Sequence, residues 1–579
     1  MPSVILRSEV QQATSNDFVF EGPTSPPLRD INIGQLLDES CKKNHERVAL
    51  VSRWQGERLT YQELHNSCQL IARRLLAIGV RPKDHVVVLA GNSIEYVQLF
   101  LATGAIGAIF SIINPTFTAE EVVNAVEFLQ PTAIFIADRI GYRKNKSLLT
   151  LLSQRQTSAS NIVELTREGE NCGKKSAWSE FLQNDAASDI DLLTQYWAKA
   201  DENDTFCIQF TSGTTGPRKA AMLSHRNLIN NALGVGHRLG YTNRDVVCCC
   251  APLFHCFALV TGVMSTIASG GTVVIPSDIF LAGASLEAIS EERCTVINAV
   301  PTMFQGILDH PDLKKHSAKA RLRTGIVAGS ILPNLLVPRL EAELGLRGLA
   351  YGYGMTELSC IVFVTNPSEV SILDNQTSVG AVVPHGAAKI VDGSLKTLPP
   401  GSKGELLVSG YLAFQGYYKN PEKTNETLVK DAKGRSWVRT GDTAIIDAAG
   451  NCTITGRVKD MIKRGGENIF PRDIEEVLEQ HPDIAAAAVV GIPDPYWGEV
   501  IGAFIQPTSR FEAKPMTGRR NMKPWLRNRI APHKFPEHFF WLGDGEGIPD
   551  ELPFNFSGKI MKEKLRATAC DLLQVKASS

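Results

Sequence analysis

The stretch Phe206–Lys219 reads FCIQFTSGTTGPRK and decides the architecture that the sequence predicts. Its first five residues form a mostly apolar run typical of a buried strand, and the nine that follow combine hydroxyl side chains, glycines and a closing lysine. Glycines let backbone N–H groups approach an anion closely, hydroxyls donate hydrogen bonds, and Lys219 supplies positive charge. The stretch therefore predicts a polyphosphate-binding loop after a strand. Its spacing does not fit the G-x-x-x-x-G-K-[ST] loop, and a plain Ser/Gly/Thr surface loop is the alternative.

On both sides of this loop, helical patterns alternate with short apolar strands. Thr60–Val80 has helical periodicity and leads into the strand pattern His85–Gly91. The same alternation returns at Asn124–Asp138 and at Glu291–Leu308. Such alternation predicts largely parallel sheets with helices on their faces.

Two regions depart from this pattern. Around Val379–Gly416, segments such as GAVVPHGAAKIVD, GSKGELLVSG and YLAFQGYY are separated by glycine and proline turns, which predicts short strands in a small antiparallel element. After Gly456, a charged stretch followed by the strand pattern AAAAVVGI predicts a separate α+β module of about 120 residues.

The composition excludes several classes of protein. With 43% hydrophobic and 21% charged residues, the 579-residue chain is close to the average of globular proteins and unlike disordered or fibrous ones. Its 60 Lys and Arg against 61 Asp and Glu give a net charge of -1. No overall basic excess therefore indicates nucleic acid or an anionic membrane as the partner, and we expect a small molecule.

One uncharged segment is long enough to be weighed as a membrane span. Val246–Ser277 has no Asp, Glu, Lys or Arg and exceeds the roughly 20 residues that cross a bilayer. Pro252, Pro276 and Gly270-Gly271 interrupt it, so a buried helix followed by a buried strand is predicted instead. The N-terminal apolar run is too short for a signal peptide and no peroxisomal tripeptide closes the chain, so we expect a cytoplasmic protein.

The twelve cysteines lack the spacing of a metal site. No C-x-x-C pair is matched by a second pair or by a histidine cluster at zinc spacing. We therefore expect buried free thiols in a reducing compartment, including the run Cys248-Cys249-Cys250.

Four further motifs follow the phosphate loop in order along the chain. They are Tyr351–Glu357 (YGYGMTE), Arg439–Asp442 (RTGD), Gly456–Ile469 (GRVKDMIKRGGENI) and Phe556–Lys559 (FSGK). Together with the loop, they resemble the adenylate-forming superfamily of acyl-CoA synthetases, nonribosomal-peptide adenylation domains and beetle luciferases. The resemblance extends over Ile31–Arg566 and favours the acyl-CoA synthetase branch of carboxylate-CoA ligases.

The patterns and the resemblance together imply an α/β fold in three parts. Residues 1–30 are expected to form an N-terminal arm. Residues 31–458 would form a large domain of stacked, mostly parallel sheets with helices, including a small β-barrel-like subdomain near residues 379–455. Residues 459–579 would form a small, mobile α+β C-terminal domain.

The resemblance also implies a two-step reaction that uses ATP, Mg2+ and coenzyme A. A carboxylate attacks the α-phosphate of ATP to give an acyl-adenylate and pyrophosphate, and a thiol then displaces AMP. Because the first step brings two anions together, it needs positive charge and positioning more than a protein nucleophile. A carrier protein is the alternative thiol acceptor, and a non-catalytic nucleotide-binding relative is a third interpretation.

Matching the motifs residue by residue implies the nucleotide site. Thr356 would bind the α-phosphate, and Glu357 would hold Mg2+. Tyr353 would stack on adenine, and Asp442 would accept hydrogen bonds from the ribose, with Arg457 supporting the nucleotide nearby. The other cofactor-binding candidates are Thr211, Ser212, Gly213, Thr214, Thr215, Gly216, Lys219, Gly329, Tyr351 and Gly352.

The C-terminal module is expected to serve both steps in turn. Lys559 would reach the carboxylate and the α-phosphate, although LPFNFSGK departs from the family pattern L-P-x-T-x-S-G-K and leaves its approach open. Rotation about a hinge at Lys459 would then replace Lys559 with Gly465-Gly466. These glycines would line the tunnel for the pantetheine arm, because they permit close backbone approach; a plain Gly-Gly turn is the alternative.

The segment around His255 is expected to form the acyl pocket. His255, in APLFHCF, resembles the residue that gates this pocket in fatty-acyl and aryl-CoA ligases; a core histidine is the alternative. No aspartate lies in Val246–Ser277 to pair with a substrate ammonium, so an amino acid is disfavoured. We expect a neutral fatty or aryl-alkyl acid, while its chain length, the pathway and the oligomeric state stay open. The other expected walls are Val300-Pro301, Ala328–Ser330 and Gly352–Met355.

Overall fold

The computed structural model describes most of the chain. The described residues are 18–155, 161–165, 177–183, 190–211, 219–329, 336–367, 378–464, 467–508, 522–527, 529–554 and 559–575. Contacts divide the chain into two compact units. The large unit consists mainly of Val19–Ala388 and Val408–Arg439, and the small unit mainly of Lys389–Leu407 and Thr440–Ser579.

Two mostly parallel sheets form the framework of the large unit, as the alternating pattern predicts. In spatial order, the six-stranded sheet contains Lys219–Ser224, Thr205–Thr211, Ile109–Ile112, His85–Leu89, Ala133–Ala137 and Asn161–Leu165. The nine-stranded sheet contains Ala381–Val382, Phe363–Val364, Gly348–Tyr353, Thr324–Val327, Val296–Ala299, Val246–Cys248, Thr272–Ile275, Val48–Ser52 and Glu57–Thr60. Its six central strands are parallel, and antiparallel strands complete both edges.

Helices connect these strands, and several begin where the sequence provides a cap. At Ser224, the side chain accepts from the N–H of Asn227 while the Asn227 side chain accepts from the N–H of Ser224, so the helix starts directly after its strand. The helices of the large unit are Ile33–Asn44, Tyr61–Ala77, Ile94–Ala105, Ala119–Leu129, Lys146–Gln154, Ala177–Gln183, Ile190–Tyr196, His225–Arg238, Ser265–Ser269, Ala282–Glu291, Pro301–Leu308, Leu313–Ser317, Leu336–Leu344 and Pro421–Thr427, with a π-helix at Ala258–Met264 and a 3-10 turn at Thr356–Leu358.

The core of the six-stranded sheet follows from side-chain periodicity. Val87 with Leu89, and Ile134 with Ile136, are two residues apart on their strands and so face the same side. Val122 and Val126 of the helix Ala119–Leu129 pack onto that face with their neighbours. Burial of such side chains contributes about 1.5–3 kcal/mol each, and it fixes the strand that leads into the phosphate loop.

The uncharged segment Val246–Ser277 folds inside the large unit as predicted. It contains the strand Val246–Cys248, the π-helix Ala258–Met264, the helix Ser265–Ser269 and the strand Thr272–Ile275. Within the described ranges, we find no helix with the length and hydropathy that crossing a membrane requires. The eleven cysteines of the described part are buried free thiols, also as predicted.

The glycine-rich region after residue 378 forms an open sheet. Its strands, in spatial order, are Phe20–Glu21, Gly386–Val391, Lys403–Gly410, Ser436–Ile446 and Leu428–Lys430, and Cys452–Arg457 also pairs with Ser436–Ile446. Among the described residues these strands do not close, so the barrel-like shape expected near residues 379–455 is replaced by an open sheet. Phe20–Glu21, within the expected N-terminal arm, pairs with Ala387–Ala388.

The prediction of a strand at YLAFQGYY is wrong. Residues 411–418 form no strand; the backbone hydrogen bonds of Gln415 and Tyr418 go to Met222 and Ala220 beside the phosphate loop. Gly410 and Gly416 have φ values of 118° and 121°, which turn the chain where a strand would continue.

The small unit has a predominantly antiparallel sheet covered on both faces. Its strands, in spatial order, are Glu467–Ile469, Ile462–Arg464, Gly498–Pro507 and Ile484–Asp494, with His538–Trp541 paired in parallel to Gly498–Pro507. Ala487 and Val489 face one apolar cluster while Ala488 and Val490 face another, which is why this strand reads as a continuous apolar run. The helices of this unit are Pro471–Glu479, Lys523–Leu526 and Lys562–Leu573, with 3-10 turns at Val458–Asp460 and Pro532–Lys534.

Candidate active site

The predicted phosphate loop connects two paired strands. Thr205–Thr211 and Lys219–Ser224 are antiparallel, and Thr211 lies opposite Lys219. The Thr211 hydroxyl donates to the carbonyl of Lys219 at 3.4 Å, which ties the two ends of the loop together. The predicted loop residues Ser212, Gly213, Thr214, Thr215 and Gly216 lie outside the described residues.

The YGYGMTE motif ends in a sharply folded turn. A Cβ on Gly354 would overlap the carbonyl oxygen of Cys360, so only glycine fits there. Ser359 and Cys360 have φ values of 58° and 108°, a region that non-glycine residues rarely adopt. The turn places Thr356 and Glu357 near the strand that follows the phosphate loop, because the strand Lys219–Ser224 packs against Thr356–Leu358.

A tyrosine that the sequence did not indicate joins Glu357 to Lys219. The Tyr417 hydroxyl donates to Glu357 Oε1 at 2.8 Å, and Lys219 Nζ lies 5.1 Å from the centroid of the Tyr417 ring. Tyr417 and Glu357 are 5% and 7% exposed. Burial, and then the neighbouring carboxylate, raise the pKa of Tyr417, which therefore stays a protonated donor.

Thr356 and the His255 segment also meet at this place. Cys256 Sγ lies 3.8 Å from Thr356 Oγ1, and the Cys256 N–H donates to Gln209 Oε1 at 3.1 Å. Gln209 belongs to the strand that enters the phosphate loop. His255 directly precedes Cys256 in the chain, and its ring centroid is 4.5 Å from that of Phe254.

The described residues of the expected acyl-pocket walls lie at one edge of the nine-stranded sheet, and Ser330 lies outside the described residues. Ala299, Val327 and Tyr351 are aligned on three adjacent parallel strands, and the strand ending at Cys248 is the next neighbour. Carboxyl ends of parallel strands meet at one edge, which is where ligands bind in such sheets. The residues that follow Ala299, Val327 and Tyr351 in the chain therefore lie side by side; they are Val300-Pro301, Ala328-Gly329 and Gly352-Tyr353.

Several candidate residues at this edge are constrained by close packing. A Cβ on Gly352 would lie 2.7 Å from Ile326 Cδ1, and Gly329 has a φ of 90°. Tyr351 is buried, and its hydroxyl has no hydrogen-bond partner among the described residues. Burial raises the pKa of Tyr351 to about 12. Tyr353 lies 6.3 Å from the ring of Phe363.

In the small unit, the structure joins the two predicted ribose-side residues. Asp442 lies opposite Arg457 on paired strands, and Arg457 Nε lies 3.2 Å from Asp442 Oδ1. The Asp442 N–H also donates to the Thr440 hydroxyl at 3.0 Å. The carboxylate is 13% exposed and the guanidinium side chain 39%.

The remaining candidates also belong to the small unit. Lys459 lies in the 3-10 turn Val458–Asp460 and forms an ion pair with Glu563 at 3.1 Å. Lys559 is half-buried and precedes Ile560, which bridges to Phe554. Gly465 and Gly466 lie outside the described residues.

Two family descriptions of known proteins match this chain. The family description "AMP-binding enzyme" matches residues 37–418, and "AMP-binding enzyme C-terminal domain" matches residues 473–549. The chain belongs to the AMP-binding enzyme family. Its fold is the adenylate-forming fold: a large mixed α/β N-terminal part and a smaller C-terminal part.

Relatives of similar length are acyl-CoA ligases. The acyl-CoA ligase sidI of Aspergillus fumigatus is 39% identical, over 96% of this chain and 94% of its own length. The mitochondrial medium-chain acyl-CoA ligase ACSF2 of Danio rerio is 33% identical, over 94% of this chain and 89% of its own. The ATP-bound structure of MatB from Rhodopseudomonas palustris has a TM-score of 0.80 at 25% identity, covering 94% of this chain and 100% of that one.

The chain is therefore an ATP-dependent, AMP-forming acyl-CoA ligase that uses ATP, Mg2+ and coenzyme A. It forms an acyl-adenylate and then an acyl-CoA thioester, as the resemblance implied. Glu357 fits a magnesium ligand, because a buried carboxylate held by a hydrogen bond is a hard oxygen donor. The buried Tyr351 hydroxyl likewise fits a place where a ligand supplies the partner.

Three residues of this site carry no signal in the sequence. Gln209, Cys256 and Tyr417 have no motif match, and their contacts join positions 47 to 100 residues apart. Only the three-dimensional packing of the phosphate-loop strands against the YGYGMTE turn identifies them.

Proposed function

We propose that the acid activated by this ligase is a neutral fatty or aryl-alkyl acid. The observation that supports this most strongly is the uncharged acyl-pocket segment: Val246–Ser277 has no charged side chain, and its π-helix Ala258–Met264 is entirely buried. A second carboxylate or an ammonium on the substrate would lose its hydration there without a charged partner, which is unfavourable by several kcal/mol. The small walls Val300 and Ala328 suit an apolar chain or ring.

We also propose how the large unit serves the first half-reaction. Lys219 and the loop Thr211–Gly216 bind the β- and γ-phosphates, and Thr356 binds the α-phosphate. Glu357 holds Mg2+, which when bound neutralises phosphate charge. Tyr353, Tyr351, Gly352 and Gly329 line the adenine and acyl sides of the nucleotide. Their convergence around the carboxyl ends of adjacent strands supports these roles.

Residues of the small unit are proposed to act in both half-reactions. Asp442 accepts from the ribose hydroxyls, and Arg457 holds that carboxylate in place through its ion pair. Lys559 approaches the substrate carboxylate and α-phosphate oxygens while the new P–O bond forms and pyrophosphate leaves. Rotation of residues 459–579 about Lys459 then exchanges Lys559 for Gly465-Gly466, which line the tunnel for coenzyme A.

His255 is proposed as the gate of the acyl pocket, since its segment lies between the phosphate-loop strand and Thr356.

We further propose that the ligase works in the cytoplasm. The buried free thiols of the described part favour a reducing compartment. Cell fractionation with an antibody to the native chain tests this placement.

A matched panel of acids tests the substrate class. Purified protein is incubated with Mg-ATP, coenzyme A and straight-chain, aryl-alkyl, dicarboxylic and amino acids, and acyl-AMP and acyl-CoA are followed by mass spectrometry. We expect thioesters with one group of neutral acids. Preference for a dicarboxylate or an amino acid would contradict the proposal. Accumulation of acyl-AMP despite coenzyme A would point to a carrier protein as the acceptor.

A further inference from the structure

We propose that Tyr417 is a positioning residue for adenylation, which orients the carboxylate of Glu357 and steers the ammonium of Lys219. The proposal rests on the magnesium and phosphate roles given above to these two residues. Tyr417 touches both side chains at once: its hydroxyl bonds Glu357 Oε1 at 2.8 Å, and its ring lies 5.1 Å from Lys219 Nζ.

The hydrogen bond selects one orientation of the carboxylate. It occupies Oε1 and thereby limits rotation of the carboxylate plane, so the direction of Oε2 is also set. The Glu357 backbone is fixed as well, because its carbonyl accepts from the Phe414 N–H at 3.0 Å. Partners of this kind around a metal ligand typically change metal affinity by about 10–100-fold when removed.

The ring acts on Lys219 through a different part of the tyrosine. An ammonium within about 6 Å of a ring centroid is attracted to the negative face of the ring. Lys219 approaches the ring, whereas Glu357 is bonded at the hydroxyl end, so one side chain holds two opposite charges at separate places. Each charge is thus kept near the phosphate loop for the nucleotide.

Tyr417 itself is held from several sides. Its N–H donates to Thr424 Oγ1 at 2.8 Å, and the Phe414 ring packs edge-on at 4.8 Å. Ala221, on the strand after the phosphate loop, forms a bridge to Tyr417. A buried tyrosine with a fixed backbone and packed ring can impose its geometry on its partners.

The adjacent tyrosine provides a matched control. Tyr418 packs edge-on against His85 at 4.9 Å and Phe128 at 5.6 Å, and it belongs to the apolar cluster around the six-stranded sheet. Tyr417→Phe removes the hydroxyl bond but keeps the ring near Lys219. Tyr418→Phe removes a hydroxyl one residue away from the proposed site.

The test measures Mg2+ dependence and metal-nucleotide binding. For Tyr417→Phe we expect the Mg2+ concentration at half-maximal ATP–pyrophosphate exchange to rise about 10-fold or more, and Mn2+-ATP binding by calorimetry to weaken similarly. Transfer from supplied acyl-AMP to coenzyme A should not change. Tyr417→Leu, which also removes the ring, should weaken Mg-ATP binding further. Tyr418→Phe should leave all of these as in the original chain.

Two outcomes would overturn the inference. One is an unchanged Mg2+ response in Tyr417→Phe while Glu357→Gln shifts it; the other is an equal loss of both half-reactions in the two tyrosine variants, which indicates a structural role. If Glu357→Gln itself leaves the Mg2+ response unchanged, the proposed role of Glu357 fails instead. Circular dichroism and melting temperature verify that each variant folds.

Discussion

The functional residues of the two units are held by different interactions. In the large unit, Glu357 is bonded by the buried Tyr417 and lies next to Thr356, which contacts Cys256. In the small unit, Asp442 and Lys459 are held by ion pairs with Arg457 and Glu563, whose side chains are 39% and 46% exposed. Buried directional bonds keep one geometry, whereas half-exposed ion pairs contribute about 0–1 kcal/mol and exchange easily. The partners that hold Asp442 and Lys459 are therefore more exposed to solvent than Tyr417, which holds Glu357.

A charge cluster in the small unit joins residues on both sides of the proposed hinge at Lys459. Lys403 Nζ lies 2.9 Å from Asp473 and 3.5 Å from the Phe470 ring centroid, and Lys534 Nζ lies 2.9 Å from Asp473. Burial lowers the pKa of Lys403, although Asp473 opposes that shift. Lys403 precedes the proposed hinge at Lys459 while its partners follow it, so rotation would separate them.

We expect the largest loss of stability and activity from a substitution in the turn of the large unit that carries Thr356 and Glu357. Gly354→Ala places a Cβ onto the carbonyl of Cys360, so the turn carrying Thr356 and Glu357 must shift. We expect about 2–4 kcal/mol lower stability and strongly reduced adenylation, measured by denaturant unfolding and ATP–pyrophosphate exchange. Gly393→Ala, where nothing lies within 4 Å of the added Cβ, is the control and should be neutral. Equal effects of both substitutions would contradict a rigid turn.

The next largest effect is expected at low pH, which should destabilise the large unit before the small unit. Burial lowers the pKa of His225 to about 3 and that of His85 to about 4, and both lie in the large unit. Their unfolded forms take up protons below about pH 6.5, so this stability is present above pH 6.5 and is lost as the pH falls towards 4. We expect each to destabilise the large unit by about 2 kcal/mol at pH 5.

Hydrogen exchange at pH 7.5 and pH 5, corrected for the intrinsic rate, measures this loss for each unit. The large unit should lose protection first. His225→Phe keeps a ring beside Phe206, which stacks on it at 4.6 Å, and should reduce the pH dependence. An unchanged pH dependence in this variant would show that His225 does not titrate as expected.

The smallest effect is expected from the charge cluster. Lys403→Met keeps the aliphatic chain over Phe470 but removes the charge, and we expect about 1 kcal/mol lower stability. It should also shift the two half-reactions in opposite directions, by about 3–10-fold. Lys534→Met is the matched control, because Lys534 and Asp473 both follow the hinge and would stay together. If both variants shift the half-reactions alike, the cluster does not govern rotation.

Local patterns predicted much of the fold and part of the site. The strand before the phosphate loop and the apolar strand Ile484–Asp494 were predictable because each has a periodicity that burial explains. The Asp442–Arg457 pair is likewise consistent with the motif matches. In each case the informative residues are close together in sequence or belong to a motif.

The features that the sequence does not predict depend on contacts between residues that are far apart in the chain. Residues 411–418 are rich in aromatic side chains, as strands often are, but Gly410 and Gly416 turn the chain, and the backbone N–H groups of Gln415 and Tyr418 donate to the strand after the phosphate loop. Tyr417 meets Glu357 across 60 residues, and Lys403 meets Asp473 across 70. No local pattern encodes such pairs, since their partners are set by packing.

The central claim is that Lys559 acts in adenylation but not in the transfer to coenzyme A. The most direct test is to measure the two half-reactions of Lys559→Ala separately. ATP–pyrophosphate exchange reports adenylation, and conversion of supplied acyl-AMP to acyl-CoA reports transfer. We predict that exchange falls by about 100-fold or more, because a charge that stabilises the transition state is removed, while transfer changes by less than about 3-fold. Equal loss of both half-reactions, or an unchanged exchange rate, would contradict the account.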